Sequence, residues 1–356
     1  RIVTHGDGTP RYVVRAADLP AERSTIEHLF ASGFPDTAEP TVHARLAQHY
    51  LGNPAGPAAC LVLEVRDTGE PVGMQGLLRR RFRSEVGPVR GAAMADYLVL
   101  PAHRTLGPAL QLLRAALEAG QRHADFLYGF PNRRAGVVFA RAGLGPRAML
   151  TRYAHLIRSE ASIRRTLSPT YQGIAGVVAV LTDLVLAVRH RLSYRSGWPT
   201  LTWSEPETFG AEVDEIWSRF APTRLVTGER TAQVLKWRFQ SNRSPRILVA
   251  HHAVDRWPVG YVVWRLSGRV IEIHDVLCVR PDLDLTPLLV GFLARARRTA
   301  AEVVSFEFAG PPALRSAVQR AGFAAREQSP VHLSVAGDNR HADDLAASLY
   351  LTSFDR

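Results

Sequence analysis

The densest chemical signal in the chain is the run Leu98-Val99-Leu100-Pro101-Ala102-His103-Arg104-Thr105-Leu106-Gly107-Pro108-Ala109. The apolar stretch 94–100 reads as a strand, and 108–119 has helical patterning. Between them, Arg104 to Ala109 fits the pattern Arg/Gln-x-x-Gly-x-Gly/Ala. Small residues at such a turn let the backbone approach a pyrophosphate, and amides at a helix N-terminus point towards it. Six residues of this kind match by chance often. The strand before and the helix after are the context that the chemistry requires. Pro108 has no N–H, so one amide is missing, although proline suits the first helical position.

The elements that must position this turn occur twice. In the first half a helical stretch (42–50) leads through Gly52-Asn53-Pro54 into a strand (60–66), the turn Asp67-Thr68-Gly69-Glu70 and Pro71-Val72-Gly73. In the second, 231–239 leads through Asn242 and Pro245 into a strand (246–251), then Asp255 and Pro258-Val259-Gly260. Each half continues with a strand (94–100; 271–279), a helix (108–119; 286–300) and a strand (126–130; 303–308). Each then has a short helix closing on Ala142-Gly143-Leu144 or Ala321-Gly322-Phe323. A repeated order of helix, three strands, helix, strand, helix and strand is a tandem α/β duplication. The expected organisation is a first domain over 1–158, a linker over 159–200, a second domain over 201–340 and a tail over 341–356. The linker holds an apolar helix (173–192), expected to lie across the domain interface.

Asn132, Ala135 and Phe139 follow the strand 126–130 and precede Gly143-Leu144. Together with the Arg104–Ala109 turn, these segments resemble the GNAT superfamily of acyl-CoA N-acyltransferases. The resemblance has motif support over about residues 60–158 and extends to the second half only in layout. It looks closest to tandem-GNAT proteins of bacterial biosynthetic clusters, whose second repeats have segments similar to Leu235-Lys236-Trp237-Arg238-Phe239 and Leu349-Tyr350-Leu351-Thr352. The resemblance implies two tandem domains, each a central mixed sheet flanked by helices. It implies acetyl-CoA or another acyl-CoA as co-substrate, with Leu98, Val99 and Leu100 beside the pantetheine arm. The backbone of Arg104, Thr105, Leu106, Gly107, Pro108 and Ala109 would hold the pyrophosphate, and Asn132 and Phe139 would lie near the cofactor. The Val99 N–H would stabilise the developing oxyanion. Asp96 is the best-placed carboxylate to deprotonate an ammonium acceptor, directly or through water. Its other reading is a strand-end carboxylate in a salt bridge with one of many arginines. Phe139 stands where many GNAT enzymes have a tyrosine that protonates the departing thiolate. Tyr128 or Tyr153 could substitute, and core packing is the commoner fate of either.

The second repeat lacks the phosphate signature. Asp282-Leu283-Asp284-Leu285-Thr286-Pro287 has no glycine and two carboxylates where phosphate would lie. Like charges repel there, so this half reads as a scaffold or an acceptor-binding lobe. Trp203, Trp217, Trp237, Trp257 and Trp264 concentrate in it. They could line a cleft, and core packing accounts for most of them.

Composition bounds the rest. With 356 residues and 46% hydrophobic content, two globular domains are expected. The stretch 174–188 is too short for a membrane span and contains Asp183. Cys60 and Cys278 have no metal-ligand spacing, nor do the scattered histidines, so no metal and a reduced, cytoplasmic protein are expected. The net charge of +11 is nearly all arginine, Lys236 being the only lysine. Such an excess attracts anionic partners. The densest run, Arg79-Arg80-Arg81-Phe82-Arg83, reads as a strand end alternating into solvent. No helix-turn-helix, zinc-finger or stacking motif supports nucleic-acid binding. The expected activity is transfer of an acyl, foremost an acetyl, group to a primary amine of a small metabolite or amino sugar. The alternatives are an acyl carrier protein as donor, docking on the Arg79–Arg83 face, and a non-catalytic binding module.

Overall fold

Aliphatic runs punctuated by turns give the first sheet its strands: β1 (Tyr12–Ala16), β2 (Ala59–Val65), β3 (Pro71–Ser84), β4 (Gly87–Val99) and β5 (Phe126–Gly129). In this computed structural model the described residues are 11–158, 200–221, 224–239, 245–337 and 341–356. They form two units. Unit 1 comprises the described residues up to Met149, Ser329–Ala347 and Arg356; unit 2 comprises Leu150–Gln328 and Ser348–Asp355.

Unit 1 adds α1 (Arg23–Gly33), α2 (Glu39–Arg45), α3 (Leu106–Gln121), α4 (Arg133–Arg141) and the start of β6 (Pro146–Leu156). Its strands β1 to β4 pair antiparallel in sequence order. β4 pairs with β5 in parallel, as the intervening α3 crossover requires. The sheet is completed by β13 (Ala324–Val335), whose His332–Val335 segment runs antiparallel to β5. Alternation along the strands feeds two cores, one on each face. Leu98, Met74 and Val62 meet Ile26, Leu29 and Tyr50 on one side. On the other, Leu77, Met94 and Leu63 meet Leu112, Leu113 and Phe139.

Unit 2 contains β7 (Leu201–Ser204), α5 (Ala211–Arg219), β8 (Val226–Gly228), α6 (Ala232–Phe239), β9 (Arg246–His252), β10 (Pro258–Ser267) and β11 (Val270–Cys278). α7 (Pro281–Ala296), β12 (Val303–Ala309) and α8 (Pro312–Arg320) follow. β14 (Leu349–Thr352) and a 3₁₀ turn (Ser353–Asp355) also belong to unit 2, while α9 (Ala342–Ser348) lies in unit 1 up to Ala347. The order β7-β9-β10-β11-β12-β6 repeats that of unit 1, with β11 and β12 parallel as β4 and β5 are; β14 adds a further parallel pair with β8. The tandem α/β layout read from the sequence is therefore the observed one.

The boundaries differ from the contiguous division 1–158 and 201–340. Thr151–Leu156 of β6 pairs with β12 in unit 2, while the last four residues of β13 pair with β5 in unit 1. Each unit thus takes its last strand from the other repeat. Sequence periodicity identifies a strand and not its partner, which is why the exchange is invisible there. α7 begins at Pro281, five residues before the sequence expectation, because proline at the first helical position and Asp282 and Asp284 in the first turn favour an early start. The apolar linker helix expected over 173–192 lies outside the described residues. Among the described residues no helix is long and apolar enough to cross a membrane.

Cys60 and Cys278 are both buried. Burial pushes the Cys60 thiol up to about 12 and holds Cys278 well above its ordinary value. The native protein should therefore leave both thiols unreacted with a colorimetric disulfide reagent at pH 8, whereas the denatured chain titrates both. Rapid native labelling would contradict the burial.

Candidate active site

The parallel pairing of β4 and β5 covers only Gly91–Phe126, Ala92–Leu127 and Ala93–Tyr128. Beyond it β4 continues to Val99 with no further β5 partner, so the two strands part. A bulge enforces the change: Met74 opposes Leu98 and Gly76 opposes Ala95, leaving Asp96 and Tyr97 against Gln75 alone. Asp96 takes φ 56°, a left-handed value that asparagine and aspartate tolerate better than most residues. Gln75 pins the distortion by donating to the carbonyls of Gly76 and Ala95 at 2.8 and 2.7 Å.

The direction of Val99 follows from its neighbours. Leu100 N–H donates to Val72 O at 2.8 Å, so Leu100 faces β3. Antiparallel strands alternate, and the N–H and C=O of Val99 face away from β3, into the parting. Its carbonyl there accepts from Arg104 Nε at 3.0 Å, which folds the turn back over the strand end. Pro101–His103 forms one 3₁₀ turn, Thr105 caps α3 in extended conformation, and α3 runs 16 residues. By helix geometry the amides of Leu106 and Gly107 have no intrahelical acceptor, and Pro108 offers none. Ala109 N–H is used by Thr105 O. The turn thus presents two helix-terminal amides at an exposed edge.

Tyr97, which sequence reading passed over, packs its ring on Phe139 (5.9 Å between centroids) and donates from Oη to Ala109 O at 2.8 Å. It fastens the first turn of α3 to β4. Its only signal was position, one residue from Asp96 on a strand already singled out.

Asp96 sits on the face covered by α2. Arg45 holds its carboxylate through Nε (3.1 and 3.0 Å to Oδ1 and Oδ2) and Nη2 (2.8 Å), and Tyr50 Oη donates to Oδ2 at 2.8 Å. The Asp96 side chain is 8% exposed. Arg45 and Tyr50 reach one carboxylate because Leu46–Leu51 is π-helical, a wide turn common at functional sites. Gly76 makes room: a Cβ there would lie 2.1 Å from Tyr50 Oη. Burial first, then the Asp96 charge, raises Tyr50 well above the ordinary phenol value, so it remains a donor. Of the two readings of Asp96, the structure shows the salt bridge.

The remaining candidates fall elsewhere. Asn132 caps α4, its Oδ1 accepting from the amides of Arg134 and Ala135 at 3.1 and 2.9 Å. That oxygen serves the helix, which Asx chemistry at an N-cap favours strongly. Phe139 is buried between Tyr97 and His332. Tyr128 is fully buried among Phe82, Phe126 and Phe130, and Tyr153 lies in the core of unit 2. Both side chains are buried, the fate that core packing predicts for them. Among the described residues no group of three or more His, Cys, Asp or Glu side chains could hold a metal ion.

Unit 2 has the same parting and has closed it. β11 and β12 stop pairing at Ile273–Phe306, and β14 joins β12 just beyond, at Phe308–Thr352 and Ala309–Leu351. Tyr350 Oη donates to Val276 O and Thr352 Oγ1 donates to Asp275, at 2.5 and 2.7 Å. Where unit 1 has free amides, Arg280 binds Asp284 through two 3.1 Å contacts.

A duplicated α/β chain, each half with its central strands parting beside a helix start, has the layout of two GNAT-like domains. Residues 23–144, about a third of the chain, match the Acetyltransferase (GNAT) family. Solved structures agree on the fold. An Enterococcus faecalis V583 protein described as a probable N-acyltransferase superposes with TM-score 0.63 at 10% identity, over 91% of this chain and 73% of its own. A GCN5-related N-acetyltransferase from Anabaena variabilis gives 0.62 at 12% identity, over 92% and 73%. Eis1 from Mycobacterium abscessus gives 0.54 at 16% identity, over 91% and 73%. Comparison with curated protein sequences finds no match.

Proposed function

We propose that the chain is an acyl-CoA-dependent N-acyltransferase that acylates a primary amine of a small metabolite or amino sugar, with unit 1 as the acyl-CoA lobe. The observation that carries this is the β4–β5 parting, into which the Val99 N–H and C=O face, next to the unpaired amides of Leu106 and Gly107. The residues present suit an acyl-CoA: strand-edge amides pair with an extended amide-bearing arm, and helix-terminal amides with a pyrophosphate. When bound, the thioester supplies the acyl electrophile. Val99 N–H is aimed to polarise its carbonyl, and Tyr97 keeps α3 in register with that amide. Asp96, fixed by Arg45 and Tyr50 three residues before Val99 on β4, takes the acceptor's proton through water.

Val99→Pro tests the reading, because it deletes the one amide and leaves the β3 pairing, which Val99 does not serve. The expected result is a fall in kcat of about 10²–10³-fold with CoA affinity little changed. An undiminished kcat would remove Val99 from the chemistry. Asp96→Asn should lower kcat while CoA binding persists; loss of stability alone would leave Asp96 a structural anchor of the bulge.

A second reading, with an acyl carrier protein as donor, rests on Arg79, Arg81 and Arg90, which stand exposed around a cavity of 130 Å³ at the far end of α3. Reversing the charges of Arg79 and Arg81 should then weaken turnover of carrier-bound acyl groups and spare that of free acyl-CoA. Equal loss of both would dismiss the docking idea.

A further inference from the structure

β13 brings into unit 1 one side chain that the acyl-transfer reading does not use. His332 stands directly opposite Gly129 in the antiparallel register of β13 and β5. Gly129 is the first residue of β5 beyond its pairing with β4, so His332 lies one strand away from the root of the parting. Paired residues on neighbouring strands point to the same face. There the His332 ring packs edge-on against Phe139 of α4, with 5.5 Å between centroids and 84° between planes. Gly129 interposes no side chain; a Cβ there would sit 3.3 Å from Met94 O on β4 and 3.4 Å from the Phe139 ring.

Three features set this imidazole apart. First, it is 3% exposed, and its Nδ1 lies 2.8 Å from Leu144 O. A carbonyl only accepts, so Nδ1 carries a proton, and in the neutral ring Nε2 presents a lone pair. Second, Nε2 has no hydrogen-bond partner among the described residues. The atom is not sealed from solvent either. Polar atoms on side chains this buried are rarely left unmade unless water or a ligand completes them. Third, Nε2 faces a clearing. Outside its own helix, a Cβ at Gly136 on α4 would meet nothing nearer than His332 Nε2, at 4.0 Å. Unit 2 has no such group in the same register. Arg152 stands there opposite Glu307, just past the end of the β11–β12 pairing, and donates to Glu327 at 2.6 and 2.9 Å. The uncommitted nitrogen belongs to the unit whose parting is open.

We infer that His332 is a ligand contact of unit 1, its Nε2 accepting a hydrogen bond from an amide N–H of the extended arm of a bound acyl-CoA. The inference rests on the acyl-CoA reading and adds to it a residue from the second repeat. The surroundings choose the donor. Phe139, Gly136 and Gly129 give the nitrogen apolar neighbours. An ammonium group would lose its water there uncompensated, whereas a neutral amide N–H gains the one partner it needs. Within the first repeat, Asn132 spends its side-chain oxygen on the amides of α4. The strand exchange then has a functional result, because β13 delivers to the first repeat a hydrogen-bond acceptor on the underside of α4.

Two substitutions separate the nitrogens. His332→Asn keeps a donor at the place of Nδ1 for Leu144 O and removes Nε2; His332→Gln reaches the place of Nε2 and gives up the Leu144 bond. The measurement is calorimetric titration of the whole protein with CoA, beside adenosine 3′,5′-bisphosphate, which shares the nucleotide end and has no arm. His332→Asn should bind CoA about three- to tenfold more weakly than the parent, the loss expected of one hydrogen bond, and bind the bisphosphate equally well. His332→Gln should bind CoA more tightly than His332→Asn while melting at a lower temperature. Affinity and stability then move in opposite directions, where a structural role would move them together. Full-strength CoA binding by His332→Asn would overturn the inference. So would equal losses of CoA and bisphosphate, or the same ranking of the two variants in affinity and melting temperature. A parent that binds no CoA at millimolar concentration would instead remove the acyl-CoA reading itself, and this inference with it.

Discussion

Replacing Arg104 by Glu together with Gly107 by Asp should abolish measurable CoA binding, a loss of at least about a hundredfold. The estimate follows from the turn's construction. Only the amides of Leu106 and Gly107 are available at the start of α3, because Pro108 has none and Ala109 N–H is committed to Thr105. An Asp at 107 sets a carboxylate beside both, answering the positive end of the helix internally. A Glu at 104 removes the guanidinium that ties the turn to Val99 O and repels the same pyrophosphate. Each effect is worth about 1–2 kcal/mol at a partly exposed site, and together they reach the hundredfold level. Titration calorimetry of parent and variant with CoA measures it. Binding by the parent and none by the variant assigns the cofactor to unit 1. A parent that binds no CoA at millimolar concentration would favour a carrier-bound donor or a non-catalytic module, and equal binding by both would move the pyrophosphate elsewhere.

The second large effect is on stability. Arg230→Met should destabilise the protein by about 3–5 kcal/mol, the cost of stripping a buried ion network of one partner. Arg230 is fully buried and donates to Asp355 at 3.0 and 2.5 Å and to Asp275 at 3.4 Å; Tyr261 and Thr352 complete the contacts on Asp275. Its guanidinium also lies 4.4 Å from the Phe354 ring. Burial pushes Asp275 above the ordinary carboxylate range against the pull of Arg230, so Asp275 without Arg230 should protonate on folding. The sign is then definite. A group raised in the folded state favours folding at low pH, and its contribution disappears as pH rises through the folded value. The Arg230→Met variant should therefore lose more stability at pH 8 than at pH 5. Urea unfolding at both pH values measures it. A variant as stable as the parent would show that the network is dispensable.

Much of the architecture was legible before any coordinates. The order of elements repeats because Pro-Val-Gly, the proline after the central strand and the Ala-Gly closures mark the same corners in both halves. The strand-to-helix turn at Arg104–Ala109 was legible because a strand closing on a proline and small residues opening a helix are local signals. What was hidden is what depends on distant partners. Nothing near Asp96 announces Arg45 and Tyr50, which meet it only through a π-turn and a glycine on the neighbouring strand. Asn132 reads equally well as a ligand contact or a helix cap until the amides of Arg134 and Ala135 are seen to face it. Leu349–Thr352 is a plain apolar run by itself; only its pairing with β12 shows that it plugs the parting in unit 2. The burial of Tyr128 and Tyr153 was hidden for the same reason, since burial belongs to the assembled core and not to the strand.

The exchange of last strands bears on how the protein is made. The segment that closes the edge of β5 is His332–Val335. It leaves the ribosome roughly 200 residues after β5, some 10–40 s later at ordinary elongation rates. Throughout that interval the nascent chain carries an unpaired β5 edge of Phe-Leu-Tyr-Gly, a sequence suited to pairing with the wrong neighbour. The first repeat therefore cannot complete its sheet until most of the second has been made. Slowing synthesis before residue 329, or excising 1–158 for expression alone, should yield aggregated rather than half-active material.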